Sequence, residues 1–103
     1  MENSLALSGI VCKQPETRHS PAGIPLTRFT LEHQSVQTEA GMSRQARCRI
    51  IVTAAGEPLS SATRTLSLGQ QVTVRGFVAR ADHHLGRARL ILHAQDIQAC
   101  EFN

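Results

Sequence analysis

The sequence predicts an all-β fold in which five curved strands close into a barrel. Three observations carry this. Five segments alternate apolar and polar residues with a period of two, the pattern of strands with one covered face. Glycines interrupt the first and fourth of these segments, at Gly9 and Gly76, where a bulge, sharp curvature or close backbone approach is expected. The alternation stops between the third and fourth segments, over Ala54–Leu68, which leaves a connector.

The first strand reads as Leu5–Cys12, with Leu5, Leu7, Gly9 and Val11 on one face and Ala6, Ser8, Ile10 and Cys12 on the other. Lys13–Ala22 is a polar excursion with Arg18 and His19 near its tip. It runs into a turn over Pro21–Pro25, where two prolines fix φ and remove donors and Gly23 permits φ > 0. The second strand, Leu26–Val36, puts Thr27, Phe29, Leu31 and His33 toward a core. Leu26, Arg28, Thr30 and Glu32 then face water or a ligand. Gln37–Ser43 is a turn with Gly41 and Met42 near its tip. The third strand, Arg44–Thr53, points Ala46, Cys48, Ile50 and Val52 inward and Arg47, Arg49 and Ile51 outward, which avoids burying unpaired guanidinium groups.

In the connector, Ala55, Leu59, Ala62 and Leu66 have helical spacing. Gly56, Pro58 and a Ser/Thr-rich middle argue against a good helix, so the expectation is a short irregular segment anchored by Leu59 and Leu66. The fourth strand follows Gly69 and alternates Val72, Val74, Gly76 and Val78 with Thr73, Arg75, Phe77 and Ala79. Arg80–Arg87, with Gly86 and two histidines, reads as a hairpin loop. The fifth strand, from Ala88 to Ala94 or on to Ile97, turns Ala88, Leu90, Leu92 and Ala94 inward and Arg89, Ile91 and His93 outward.

Three strands, a connector and two strands make the outline of a five-stranded OB-fold barrel, with a short irregular connector between strands three and four. Periodicity alone also admits a small β-sandwich. The length of 103 residues suits one domain spanning 1–103. In an OB-fold, strands two and three and the loops after strands one and four bind oligonucleotides.

Charge points the same way. The net charge is +3, and Lys13 is the sole lysine, so the basic character is carried by arginine, which suits phosphate gripping and flat stacking. Arg44, Arg47 and Arg49 form one cluster; Arg75, Arg80, Arg87 and Arg89, with His83 and His84, form another. Both fall on elements that an OB-fold uses for nucleic acid. Three widely spaced cysteines without a CxxC argue against a disulfide framework or zinc site and suit a reducing cytoplasm; small buried thiols are expected. His83, His84 and His93 lack a fourth ligand with suitable spacing, so no metal or other cofactor is expected. No apolar run approaches the ~20 residues that span a bilayer, and the N-terminus lacks the pattern of a secretory signal. The acids are scattered singly and no nucleophile–base order stands out, so no enzymatic activity is expected.

Five stretches together carry a family resemblance: Leu5-Ala-Leu-Ser-Gly-Ile-Val-Cys, Ser20-Pro-Ala-Gly-Ile-Pro, Phe29-Thr-Leu-Glu-His, Ser35-Val-Gln-Thr-Glu-Ala-Gly and Val72-Thr-Val-Arg-Gly-Phe-Val. In order and spacing the chain resembles the primosomal replication protein N family, relatives of bacterial single-stranded DNA-binding protein. The resemblance implies an OB-fold homodimer that binds single-stranded DNA, contacts the primosomal helicase and other primosome proteins, and assists assembly for helicase loading. It places the DNA face at Arg18, Arg44 and Arg89, with Gln34 where relatives have a basic residue and Met42 and Arg47 where they have aromatics. Asp82 and His84 stand where relatives have loop lysines, and Arg87 extends that cluster.

Single-strand binding normally combines a positive groove with aromatic stacking. Here Trp and Tyr are absent; Phe29 has core parity and Phe77 is expected to pack rather than stack a base. Binding is therefore expected to rely on charge, with Arg47 offering a guanidinium plane for stacking, Met42 a soft apolar contact, and His84 a phosphate contact when protonated. The competing function is a protein-interaction adaptor that uses Arg47, Arg49 and Phe77 to dock an acidic partner and has little affinity for DNA.

Overall fold

The computed structural model describes residues 1–81 and 89–100. Its elements in chain order are β1 (Leu5–Val11), β2 (Glu16–His19), β3 (Pro25–Glu39), β4 (Met42–Ala55), α1 (Glu57–Arg64), β5 (Gln71–Ala81) and β6 (Arg89–Ala99). β1 pairs antiparallel with both β5 and β3, β5 with β6, β6 runs parallel to β4, and β4 pairs antiparallel with β3. That circuit closes a five-stranded OB-fold barrel, and β2 adds to the free side of β3.

Alternation explains the core. The inward parity of each strand delivers Val11, Phe29, Leu31, Val52, Ala54, Val72, Val74, Leu92 and Ala94 to one cluster, joined by Ile97, whose parity the β5–β6 register shift reverses, and by Leu66 after the helix. Leu59 packs against this cluster, so both expected connector anchors are in place.

Closure needs two close approaches, and each falls on a glycine. A Cβ at Gly9 would strike the Glu32 carbonyl oxygen, because β1 there leans against β3. A Cβ at Gly76 would overlap the His93 carbonyl oxygen, at the point where the β5–β6 register shifts by one residue.

The expected Gln37–Ser43 turn shrinks to Ala40 and Gly41, because β3 and β4 pair out to Glu39 and Met42; four further details depart from the sequence reading. The connector is ordered: α1 spans eight residues, with Pro58 in its first turn, where a missing donor costs nothing, and Gly56 before it at φ 100°. Its buried Thr63 and half-buried Leu59 and Ala62 show that packing on the barrel overrides weak propensity. Second, the polar excursion contains β2, which is exposed along its whole length and therefore shows no alternation. The turn that pairs it with β3 is closed by Gly23 N–H donating to Ser20 O at 2.8 Å and Ile24 N–H donating to Ser20 Oγ at 3.1 Å. Third, Leu90 is exposed and Ile91 buried, although Ile91 keeps its expected outward parity, because Ile91 is flanked on the outer surface by Ile51 of β4 and Ala79 of β5. Fourth, Cys48 is exposed, while Cys12 and Cys100 are half-buried; all three are free thiols. Phe77 packs as expected, stacked on His93 with ring centroids 5.0 Å apart.

Gly76→Ala is expected to lower the unfolding free energy by at least about 1–3 kcal/mol, since the obstacle is backbone that cannot step aside. Urea denaturation checks this; an unchanged midpoint would mean that the β5–β6 bulge tolerates a side chain.

Candidate nucleic-acid interface

The β3–β4 hairpin determines which side chains can act together. Its register runs without interruption from Leu26↔Ala55 to Glu39↔Met42, closed by Ala40 and Gly41 at φ 53° and 76°, a tight two-residue turn of the type favoured in hairpins. Residues directly opposite one another share a face. One face of the hairpin therefore carries Arg28 with Thr53, Thr30 with Ile51, Glu32 with Arg49, Gln34 with Arg47 and Val36 with Gln45. Within the barrel this is the outer surface. The other face carries the core residues and, beyond the barrel, His33 with Cys48, Ser35 with Ala46, Gln37 with Arg44 and Glu39 with Met42.

The outer face continues onto both neighbouring strands. On β2, Glu16 lies opposite Arg28 and Arg18 opposite Leu26. On β6, Arg89 shares the parity of Ile91, which lies opposite Ile51. The structure thus brings Arg18, Gln34, Arg47 and Arg89 onto one outer surface. It puts Met42 and Arg44 on the reverse of the hairpin near its tip. His84 and Arg87 lie outside the described residues. Arg28 and Arg49 belong to the outer surface too. Alternation had already assigned Arg28 to the solvent- or ligand-facing side; β2 adds Arg18 diagonally across from it.

Two outer-face arginines, Arg47 and Arg49, are held by neighbours. The Gln34 amide is assigned with its oxygen toward Arg47, since two donors would otherwise face each other; so assigned, it accepts from Nε at 2.6 Å and also from the terminal nitrogen. Arg49 Nε lies 3.5 Å from Glu32 Oε1. On the reverse face, Arg44 Nε lies 3.5 Å from Glu39 Oε2. Shallow clefts follow the outer surface: one of about 290 Å³ lined by Glu16, Arg18, Leu26, Thr27, Arg28 and Thr53, and another of about 280 Å³ around Glu32, Gln34, Arg47 and Arg49.

The strand that carries Arg18 is anchored from beneath. Thr63 Oγ1 donates to Ser60 O at 3.0 Å, which leaves it to accept from Thr27 Oγ1 at 3.3 Å. Thr27, its own proton committed, then accepts from Thr17 Oγ1 at 2.9 Å. This one-way chain of hydroxyls ties β2 through β3 to α1. A second chain joins the arm to β1: Gln37 Nε2 donates to Ser35 Oγ at 2.9 Å, Ser35 Oγ lies 2.7 Å from His33 Nε2, and His33 Nδ1 donates to the Ser8 carbonyl at 2.6 Å.

The comparisons agree with this architecture. A family model described as another single-strand binding protein family matches residues 3–96. Replication restart protein PriB of Photorhabdus laumondii is 48% identical over 96 residues, covering 93% of this chain and 91% of that protein. The chain belongs to the PriB family of replication restart proteins. A second PriB, from Klebsiella pneumoniae, is 44% identical over 98 residues, 95% of this chain and 94% of its own length. Among solved structures, priB of Ralstonia solanacearum superposes with a TM-score of 0.81 at 24% identity, covering 98% of this chain and all of that one. The Plasmodium falciparum SSB complex with ssDNA superposes at 0.80 with 13% identity, over 98% of this chain and 96% of that one. At those identities the likeness establishes the fold, and the PriB and SSB barrels share it. Among the described residues, no helix is long and apolar enough to cross a membrane.

Thr27→Val is expected to cost about 1–3 kcal/mol, because it removes the middle of the hydroxyl chain and leaves buried Thr63 without its donor. Denaturation with the Thr63→Val/Thr27→Val double variant checks it: coupled hydroxyls predict that the two losses do not add, and full additivity would contradict the chain.

Proposed function

We propose that this chain binds single-stranded DNA across the outer surface of β2, β3 and β4, as a non-enzymatic accessory protein of replication restart. The observation that carries this reading is the gathering of Arg18, Arg28, Arg47, Arg49 and Arg89 on one surface of an OB-fold barrel against the acids Glu16 and Glu32. Arginines contact phosphates along the surface, and the guanidinium plane of Arg47 stacks on a base. Met42 and Arg44 join in where the strand wraps the end of the hairpin, and His84 and Arg87 extend the contact from the segment between β5 and β6. In the restart primosome the protein would stabilise the primosomal helicase on DNA and assist assembly toward helicase loading, and the relatives' name as replication restart proteins supports this.

In this reading residues 1–103 act as one domain in the cytoplasm, and two copies pair through the outer side of β1, where Ile10 is 44% exposed on the face it shares with Ala6 and Cys12. Ile10→Asp is then expected to convert a sedimenting dimer to monomer; a mass unchanged from that of a wild-type dimer would put the pairing surface elsewhere.

Fluorescence anisotropy with labelled oligo-dT, matched RNA and matched duplex across a salt series tests the DNA reading. The expected result is preference for the DNA single strand, with affinity falling as salt rises by ~0.7 in slope for each phosphate neutralised. Arg47→Ala is expected to weaken binding about ten-fold. Absence of single-strand binding at low salt would overturn the reading and favour a protein adaptor.

A further inference from the structure

Two neighbouring cross-strand pairs on the outer face share one geometry and differ in charge. In both, an arginine on β4 reaches across to the residue directly opposite on β3. At Arg49 the acceptor is a carboxylate, Glu32 Oε1 at 3.5 Å from both Nε and a terminal nitrogen. At Arg47 it is the neutral amide oxygen of Gln34, again approached by Nε and a terminal nitrogen. The pairs are consecutive on this face, Glu32↔Arg49 and Gln34↔Arg47. One guanidinium therefore stands beside an opposing charge, while the other is held by a neutral group with its full charge still available.

We propose that residues 32 and 34 set which arginine engages the single strand: Gln34 presents Arg47, and Glu32 withholds Arg49. This rests on the DNA reading above and adds that the division of labour lies in the β3 partners rather than in the arginines. Gln34 is a positioning residue. It orients the Arg47 guanidinium by hydrogen bonds that a phosphate need not displace, because the unused donors on the far edge and the planar face stay open. Glu32 competes with phosphate for Arg49 and repels phosphate itself. The side chains of Arg49 and Glu32 are 63% and 46% exposed, so their pairing is weak in water. It acts by lowering local potential rather than by locking the residue. The clefts connect the two pairs, with Glu32, Gln34, Arg47 and Arg49 lining one and Gln34 and Arg47 a second.

The test is a charge swap between isosteres. Glu32→Gln is expected to tighten binding of oligo-dT by about three-fold at low salt, and to steepen the salt dependence by up to ~0.7 as Arg49 is released to a phosphate. Gln34→Glu is expected to weaken binding by about five-fold or more and flatten the salt dependence, because it converts the Arg47 pair into an ion pair. Both side chains are on the outer face, and thermal melts verify that the variants remain folded.

A merely repulsive role for Glu32 is separated by repeating Glu32→Gln in an Arg49→Ala background. Loss of the three-fold gain there supports release of Arg49; an undiminished gain overturns it. Wild-type binding that neither swap alters also overturns the proposal while leaving the DNA reading intact. Failure of the wild-type protein to bind oligo-dT defeats that reading, and this inference with it.

Discussion

The antiparallel ladder between β3 and β4 is the constraint on which the rest depends. Fourteen consecutive pairs, from Leu26↔Ala55 to Glu39↔Met42, hold one register. A slip of one residue in β3 would turn Phe29 and Leu31 to water and Arg28 toward the core; a slip in β4 would do the same to Val52 and Arg49. The cost of burying those guanidinium groups far exceeds anything that an alternative turn could return. The same ladder therefore builds half of the core and sorts the arginines onto the opposite surface. Its strands also outrun the barrel, so the hairpin projects as an arm whose two faces both reach solvent.

Barrel closure supports this arrangement from the other side. β1 can lie against both β3 and β5 only because Gly9 and Gly76 present no side chain where backbones nearly touch. The His33 contact to the Ser8 carbonyl continues the link between β1 and β3 one step beyond their last paired residues, at the point where the arm leaves the barrel. On the far edge, the Thr17–Thr27–Thr63 chain does the same for β2. The recognition proposed at the outer surface would thus need no moving part. The arginines are presented by strands whose positions are fixed by hydrogen bonds beneath and beside them.

Much of this was legible in the sequence, for one physical reason. Strands with one buried face display alternation, so the order of the five barrel strands and the inward placement of Phe29, Leu31, Val52, Val74 and Leu92 could be read directly. The glycine interruptions announced close approaches without naming the partner strands. What could not be read depends on neighbours distant in sequence. β2 buries nothing and exists only because β3 offers it an edge. α1 has poor intrinsic propensity and is held by packing on the barrel. Ile91 is covered by Ile51 and Ala79, which alternation within its own strand cannot reveal. For the interface, alternation already turned Arg28, Arg47 and Arg49 outward, but it could not tell which strands lie side by side. Arg47 and Arg44 are three residues apart and fall on opposite sides of the arm, while Arg18 and Arg28, ten apart, meet on adjoining strands. The resemblance to the primosomal family named the fold and its relatives. The register shows which of the expected side chains share one face.

The most direct test of the central claim follows the arginine Nε–Hε signals by NMR during titration with oligo-dT. If the outer surface of β2, β3 and β4 binds the single strand, the signals of Arg18, Arg28 and Arg47 shift together along one saturable curve. If those three stay fixed while the oligonucleotide binds, the strand lies elsewhere on the barrel and the outer face has another use.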